Sequence, residues 1–199
     1  MSELSEIMNC YVLAGGRSTR MGIDKGLIIL KDKAIIEYCI EALKSIFKNL
    51  IIVSNHNGYS GFGFEVIADI ISDNGPAGGI YTALSHSSTE QNFIVSCDMP
   101  FVTCKAVEFI ISKSINHQIT VPVYCNKFEP LFAVYTKSCS EKWKQIMDTG
   151  TFKLQNIIAN FKTLELNVDG NPLFSDDLFL NINSKSELER AQNKINHDN

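Results

Sequence analysis

A glycine-rich segment with several positive charges is the part of the sequence whose residue types indicate chemistry most directly. Residues 13–27 read Leu-Ala-Gly-Gly-Arg-Ser-Thr-Arg-Met-Gly-Ile-Asp-Lys-Gly-Leu. Gly15 and Gly16 lack a Cβ, so backbone N–H groups can approach a ligand closely, and consecutive N–H groups in such a turn bind anions. The segment also holds two of the chain's three arginines, Arg20 among them, and Lys25, in a chain with a net charge of −4. This concentration of positive charge predicts a phosphate site.

The spacing of this segment differs from the two best-known phosphate loops. A Walker A loop carries Gly-Lys-Ser/Thr after its second glycine, whereas here Gly22 is followed by Ile23 and Asp24. A dinucleotide loop needs the spacing GxGxxG, and here two adjacent glycines precede Gly22 by six residues. A dehydrogenase or a P-loop enzyme is therefore disfavoured, and a solvated strand-to-helix turn is the plain structural alternative.

Asp98 is the second position at which residue type and placement predict chemistry. It follows the apolar run Phe93–Ser96, a predicted strand. In parallel α/β sheets ligands bind beyond the carboxyl ends of the strands, so Asp98 should face the same crevice as the glycine segment. Magnesium prefers one or two carboxylates together with phosphate oxygens. Asp98 is therefore predicted to bind Mg²⁺ at the phosphates of a nucleotide; the alternative is that it caps the helix that begins near Thr103.

Two further polar residues follow predicted strands and should lie on the rim of this crevice. Asn55 follows Leu50–Val53, and Asp69 follows Phe64–Ile67. A local turn hydrogen bond is the alternative for each. A second glycine turn, Gly75–Gly79, leads into a helix whose N-terminus can face an anion or admit a base.

The C-terminal part of the chain contributes a pair of asparagines. Asn181 and Asn183 alternate along a predicted strand, Phe179–Ile182, so they should share one face. A polar edge strand is the alternative. Ser184 and Glu187 form a capping box that predicts the start of a C-terminal helix.

The elements that must position these residues alternate between strand and helix. Further predicted strands are Cys10–Leu13, Ile119–Val123, Pro130–Tyr135 and Leu164–Val168. Helices are predicted around Ile35–Phe47, Ile80–Leu84 and Val107–Ile111, and after a capping box formed by Ser138 and Glu141. This alternation predicts a three-layer α/β/α sandwich, Rossmann-like, with a mostly parallel sheet. No repeat or linker interrupts it, so residues 1–199 are predicted to form a single domain.

Composition excludes several other classes. The net charge of −4 and the scattered lysines argue against nucleic acid or a membrane surface as a partner. Apolar runs of about five residues are far shorter than the ~18 that a spanning helix needs. The six cysteines contain no CxxC pair, which argues against a zinc or thioredoxin-like site. Reduced cysteines and a start unlike a signal peptide predict a cytoplasmic protein.

Residues Leu13–Lys25 resemble the signature LAGGxSxRMGxDK of the molybdenum cofactor guanylyltransferases, within the wider nucleotidyltransferase family that makes NDP-sugars and related compounds. The matching residues are Gly15, Gly16, Ser18, Arg20, Met21, Gly22, Asp24 and Lys25. The likeness continues along nearly the whole chain, at Asp69, Gly75–Gly79, Cys97–Pro100, Glu129–Leu131 and Asn181–Asn183.

The resemblance implies roles for individual residues. Arg20, Lys25 and Asp98 are the implied catalytic residues, and Asp98 is the implied Mg²⁺ ligand. The implied nucleotide-binding residues are Leu13, Ala14, Gly15, Gly16, Lys25, Asn55, Asp69, Gly78 and Asp98. Asn181 and Asn183 are implied to lie near the phosphates and the metal. Relatives often carry His-Pro where this chain has Glu129-Pro130, and two arginines where it has Thr151-Phe152-Lys153, so Lys153 is expected to replace part of their function.

The expected reaction is transfer of GMP from GTP to molybdopterin-bound molybdenum cofactor, with release of pyrophosphate. GTP and the molybdenum cofactor are the implied substrates, and proteins of cofactor synthesis and molybdoenzyme maturation are the implied partners. One alternative is another nucleotidyltransferase, which would use CTP or act on a sugar or isoprenoid phosphate. The other is a nucleotide-binding module without catalysis, against which the presence of both Lys25 and Asp98 argues.

Overall fold

The first strand of the fold, β1 (Asn9–Leu13), lies inside the sheet, and every one of its residues is buried. The computed structural model describes residues 8–15 and 24–197 of the chain. Side chains of β1 alternate between two cores, with Val12 in one and Leu13 in the other. Because both faces of this strand are covered by apolar layers, its sequence is a continuous apolar run and lacks polar alternation.

The sheet around β1 is mostly parallel. The other strands are β2 (Ile29–Leu30), β3 (Lys33–Ala34), β4 (Asn49–Val53), β5 (Glu65–Ile67), β6 (Gln91–Ser96), β7 (Ile119–Tyr124), β8 (Lys127–Phe128), β9 (Phe132–Thr136) and β10 (Thr163–Asn167). Within the described residues the main sheet runs β10-β7-β9-β6-β1-β4-β5, with β8 paired to β7. β1 lies parallel to β4 and β6, β4 to β5, and β7 to β10, whereas β9 is antiparallel to both neighbours. The predicted mostly parallel sheet is confirmed.

Helices cover both faces of this sheet. They are α1 (Ile35–Leu43), α2 (Gly75–His86), α3 (Cys104–Lys113), α4 (Ser140–Asp148), α5 (Leu154–Ile158) and α6 (Lys185–His197). α1 and α3 pack in the core that contains Val12, and α2, α4 and α5 pack in the core that contains Leu13. The Trp143 indole N–H fixes α4 to α2 by donating to the Ala77 carbonyl at 3.1 Å. The predicted three-layer sandwich is therefore confirmed. In the described part of the chain, each helix is too short or too polar to cross a bilayer.

The C-terminal helix begins where its capping box predicts. The backbone N–H of Glu187 donates to the Ser184 hydroxyl at 3.3 Å, which satisfies an N–H group of the first helical turn. The Glu187 carboxylate accepts from the Ser184 hydroxyl and from the Asn183 backbone N–H, both at 2.8 Å. In the usual capping box the glutamate accepts from the backbone N–H of the cap residue. Here Glu187 accepts from the residue before the cap, and this bond fixes the backbone of Asn183.

The predicted strand Phe179–Ile182 is wrong. The Phe179 and Leu180 N–H groups donate to the carbonyls of Ser175 and Asp177, as in turns, and the Ile182 N–H donates to the Asp98 carbonyl at 3.0 Å. The segment follows an irregular course because these contacts take its hydrogen bonds, so no described strand pairs with it.

The predicted capping box at Ser138 and Glu141 is also wrong. A short 3-10 turn, Lys137–Cys139, runs directly into α4, which therefore starts without a side-chain cap. The Ser138 hydroxyl instead donates to the hydroxyl of Thr136 at 3.0 Å. The helix needs no cap there because the preceding turn already has helical hydrogen bonding.

Candidate active site

A cleft with two connected lobes lies at the carboxyl edge of the parallel strands. The Asp98 lobe has a volume of about 460 Å³ and includes Lys25, Asp98, Glu129, Asn181 and Asn183 in its wall. The Asp69 lobe has a volume of about 480 Å³ and includes Asn55 and Asp69. Both lobes share Leu13, Gly15, Asp24, Gly75 and Pro76. One elongated ligand can therefore occupy both lobes at once.

Asp98 is a buried carboxylate at the end of β6. The residue is 8% exposed, and the Ser96 hydroxyl donates to its Oδ1 at 2.6 Å. Burial raises the pKa of Asp98, while the bond from Ser96 and the charge of Lys25 act in the opposite direction. Burying this charge costs free energy that a bound cation would recover.

Lys25 faces Asp98 from the turn that follows the glycine segment. Its Nζ lies 3.7 Å from the Asp98 Oδ2 and donates to the Asn183 side-chain oxygen. Lys25 opens a 3-10 turn, Lys25–Leu27, whose N-cap is Asp24. The Lys25 side chain is 30% exposed and lines the lobe, so it remains accessible to a ligand there.

The asparagine pair reaches the lobe from an irregular segment. Leu180 and Ile182 are buried in a small apolar cluster with Ala191 of α6, so the alternate residues, Asn181 and Asn183, point towards the lobe. The predicted common face is thus present, although no strand creates it.

The donor set of the Asp98 lobe fits a divalent cation. It offers the Asp98 carboxylate and the Asn181 amide oxygen, which are hard oxygen donors, and the Asn183 amide oxygen would join them once released from Lys25. Among residues 8–15 and 24–197, no group of three or more His, Cys, Asp or Glu side chains could hold a metal ion. A cation here would therefore depend on phosphate oxygens for the rest of its shell, as Mg²⁺ usually does.

The Asp69 lobe is built on a side-chain pair. The Asn55 side-chain oxygen accepts from the Asp69 backbone N–H at 2.8 Å, and its amide donates to the Asp69 Oδ2 at 3.4 Å. A Cβ on Gly15 would lie 3.8 Å from that same Oδ2, so the glycine segment begins directly beside this carboxylate. Burial raises the pKa of Asp69, and a bond from Thr82 offsets part of the shift. The lobe therefore presents a fixed acceptor to N–H or O–H donors.

Three of the predicted site residues do not line the cleft, and two others belong to the part of the chain that the structure does not describe. Ala14 is fully buried, and its N–H donates to the Val53 carbonyl at 2.9 Å beneath the cleft. A Cβ on Gly78 would lie 3.0 Å from the Ile71 carbonyl, so Gly78 serves the packing of α2. Lys153 precedes α5 and is exposed outside the Asp98 lobe, whose wall there is Leu154.

Gly16 and Arg20 fall within residues 16–23, outside the described ranges.

Glu129 lines the wall of the Asp98 lobe beside Pro130 and Leu131. Burial raises its pKa to about 7, and Lys127 acts to lower it. A half-buried carboxyl that titrates near neutrality is a common property of functional sites.

Sequence reasoning missed several contributors to the site. Ser96 and Leu154 line the Asp98 lobe. Ser96 had one usable signal, since it ends β6 two residues before Asp98 and alternate residues of an extended chain share a face. Nothing in the sequence indicates that Tyr59 contacts Asp24, because the two residues are distant along the chain.

A nucleotide-sized cleft at the carboxyl edge of a parallel sheet, with a lysine opposite a buried carboxylate, defines a nucleotide-binding α/β protein. The chain belongs to the family of MobA-like NTP transferase domains, whose model matches residues 10–165.

Two relatives are similar over almost their full length. The chain is 35% identical over 184 residues to a probable molybdenum cofactor guanylyltransferase of Flavobacterium johnsoniae, covering 92% of this chain and 95% of that one. It is 36% identical over 198 residues to a probable molybdenum cofactor guanylyltransferase of Natranaerobius thermophilus, covering 95% and 97%. The crystal structure of molybdopterin-guanine dinucleotide biosynthesis protein A from Archaeoglobus fulgidus superposes with a TM-score of 0.83 at 25% identity, over 96% of this chain and all of that one.

Proposed function

We propose that the protein transfers GMP from GTP to the terminal phosphate of molybdopterin that carries molybdenum. The main support for the proposal is that Lys25 lies opposite Asp98. Their lobe is continuous with the lobe that contains the Asn55–Asp69 pair. The relatives of matching length that are named molybdenum cofactor guanylyltransferases support the choice of substrates.

The Asp69 lobe is proposed to take the nucleoside. Asp69 and Asn55 would meet the donors of guanine or of the ribose, and the backbone at Gly15 would lie beside them. Guanine presents N–H donors that a fixed carboxylate can accept, so this lobe is also where nucleotides would be distinguished.

The Asp98 lobe is proposed to hold the phosphates and the acceptor. Lys25 and Arg20 would neutralise the triphosphate, and Asp98 with the two asparagines would hold Mg²⁺. When bound, Mg²⁺ supplies charge neutralisation at the phosphate oxygens. Glu129 and Leu154 would face the acceptor.

The reaction needs no general base, because the attacking phosphate oxygen is already an anion. That oxygen forms a bond to the α-phosphorus of GTP, and the bond from this phosphorus to the oxygen bridging to the β-phosphate breaks. Pyrophosphate leaves with the bonding electron pair. The residues would therefore act by positioning both phosphates and by neutralising charge, and Lys25 and Arg20 would stabilise the departing pyrophosphate.

The proposed unit is the whole of residues 1–199 as one domain, since Asn181 and Asn183 line the cleft from beyond the family match at residue 165. A cytoplasmic setting is part of the proposal, and six free cysteines favour it.

The test is turnover by the purified protein with molybdenum-bearing molybdopterin, magnesium and each of the four ribonucleoside triphosphates in turn. Pyrophosphate and a guanine dinucleotide cofactor are expected with GTP. Equal use of CTP would contradict the choice of guanine, and no pyrophosphate with any nucleotide would contradict nucleotidyl transfer.

A further inference from the structure

Tyr59 is a buried side chain that contacts the turn carrying Lys25 without lining the cleft. It belongs to a 3-10 segment, Asn57–Phe62, and is fully buried. Its phenol O–H donates to the Asp24 Oδ1. Asp24 directly precedes Lys25, so this bond ties the segment after β4 to the turn that follows the glycine segment.

Asp24 in turn fixes the backbone on both sides of Lys25 through hydrogen bonds. The same Oδ1 accepts from the Gly26 backbone N–H at 3.2 Å, and the Asp24 carbonyl accepts from the Leu27 N–H at 3.0 Å. Lys25 therefore lies between two residues whose positions depend on one carboxylate. From that backbone position its ammonium reaches Asp98 and Asn183.

Gly26 provides the space that the phenol needs. A Cβ at this position would lie 2.5 Å from the Tyr59 oxygen, closer than real Cβ contacts, and 3.0 Å from the Cys97 sulfur, tighter than most of them. The Tyr59 hydroxyl thus sits between the Lys25 turn and the strand end that carries Asp98. Burial, with Cys97 and Asp24 nearby, raises the pKa of Tyr59, so the phenol keeps its proton and remains a donor.

We propose that Tyr59 is a positioning residue, which acts through Asp24 to hold Lys25 opposite Asp98. The inference rests on the proposed role of Lys25 at the triphosphate. A residue outside the cleft would thus help to set the geometry of phosphate binding. A displacement of about 1 Å in such a site can cost roughly a hundredfold in rate.

The first experiment compares Tyr59→Phe with the unmodified protein. We expect kcat/KM for GTP to fall at least about tenfold and the dissociation constant of GTP with magnesium to rise. Tyr11→Phe is the matched control, since Tyr11 is equally buried and its hydroxyl lies 3.0 Å from the His86 Nδ1, at the opposite end of β1 from the cleft. This control should lower the melting temperature while leaving kcat/KM within about twofold. If Tyr59→Phe behaves like the control, the positioning role is wrong.

The second experiment tests whether the effect passes through Lys25. Tyr59→Phe is introduced into the Lys25→Ala protein, and GTP affinity and kcat/KM are measured for all four proteins of the cycle. Little additional loss is expected, because the side chain to be positioned is already absent. An equal loss in both backgrounds would overturn the inference.

A third variant perturbs the same contact from the other side. Gly26→Ala should displace the phenol and reproduce the loss of GTP affinity, and unchanged affinity would contradict the proposal. The affinity measurements need no acceptor, so they report on Tyr59 even if the unmodified protein fails to transfer GMP. That failure would instead overturn the proposed function.

Discussion

The Nζ of Lys25 lies 3.7 Å from the Oδ2 of Asp98, so a cation and a buried carboxylate face each other across the lobe without a short direct bond between them. The gap leaves both groups able to bind a third charged species. Phosphate oxygens would meet Lys25, and a divalent cation would meet Asp98. Under the proposed function, this pair would hold a metal-bound phosphate.

Asp98→Asn should nearly abolish turnover while leaving the fold intact. The change removes the charge that would hold the metal, and charge stabilisation by a metal is worth several kcal/mol. Turnover and the circular dichroism spectrum should be measured on the same samples. Asp148→Asn is the matched control, because Asp148 is exposed and pairs with Lys144 on the surface of α4. Activity of Asp98→Asn within tenfold of the unmodified protein would exclude the metal role.

Lys25→Ala should weaken transfer far more than it weakens the fold. Changes at partly exposed side chains usually shift stability by only about 0.5 kcal/mol, whereas contacts to a triphosphate strengthen as charge develops on the leaving group. The measurements are kcat/KM and the melting temperature, with Lys144→Ala on α4 as control. A sharp drop in melting temperature with unchanged catalysis would show that Lys25 is structural.

GTP should be preferred over CTP and ATP by at least about a hundredfold in kcat/KM. The charges near the phosphates are common to all nucleotides, so discrimination must come from the base. A wrong base leaves buried polar partners unsatisfied, at roughly 1–3 kcal/mol for each group. Competition of each nucleotide against GTP, in the presence of the molybdenum-bearing pterin, measures this ratio directly.

Glu129→Gln should remove part of the pH dependence of stability. Burial raises the pKa of Glu129 from 4.5 to about 7. Between these values the folded protein binds more protons than the unfolded chain, so the contribution of Glu129 to stability is largest below pH 4.5 and is lost as the pH rises through about 7. Melting temperatures of both proteins should therefore diverge across this interval, with the unmodified protein losing more. Parallel curves would show that Glu129 titrates normally.

The sequence predicted the layers and most of the strands because their signals are local. Buried runs such as those around Val12 and Phe93 are apolar on both faces, and this pattern is typical of a covered parallel strand. The strand predicted around Phe179 is wrong because apolar and polar residues alternate there as in a strand, whereas the backbone N–H groups bond within a turn and to the Asp98 carbonyl. Periodicity reports burial and carries no information about the partner of a backbone N–H group.

The site was predictable where a residue follows a strand and unpredictable where a contact spans the chain. Asp69 and Asp98 were placed at the correct edge by their position after apolar runs. Tyr59 lies in a turn-like sequence, and its partner Asp24 belongs to another element, so only the folded chain brings them together. Gly75 and Gly79 line the cleft whereas Gly78 packs against the Ile71 carbonyl, and the spacing of glycines in a turn does not distinguish these positions.

The reversed direction of β9 has a consequence for how this cleft can diversify. A strand that runs against its neighbours begins where they end, so the segment before it, including Glu129 and Leu131, enters the Asp98 lobe at the edge where the other strands deliver their loops. The Ser96 N–H donates to the Leu131 carbonyl at 3.0 Å, which fixes this segment beside the end of β6. Insertions or substitutions between β8 and β9 would remodel the wall proposed to face the acceptor while the sheet and the Asn55–Asp69 pair stay as they are. If the two lobes have their proposed roles, one scaffold can thus exchange its acceptor in evolution and keep its nucleotide.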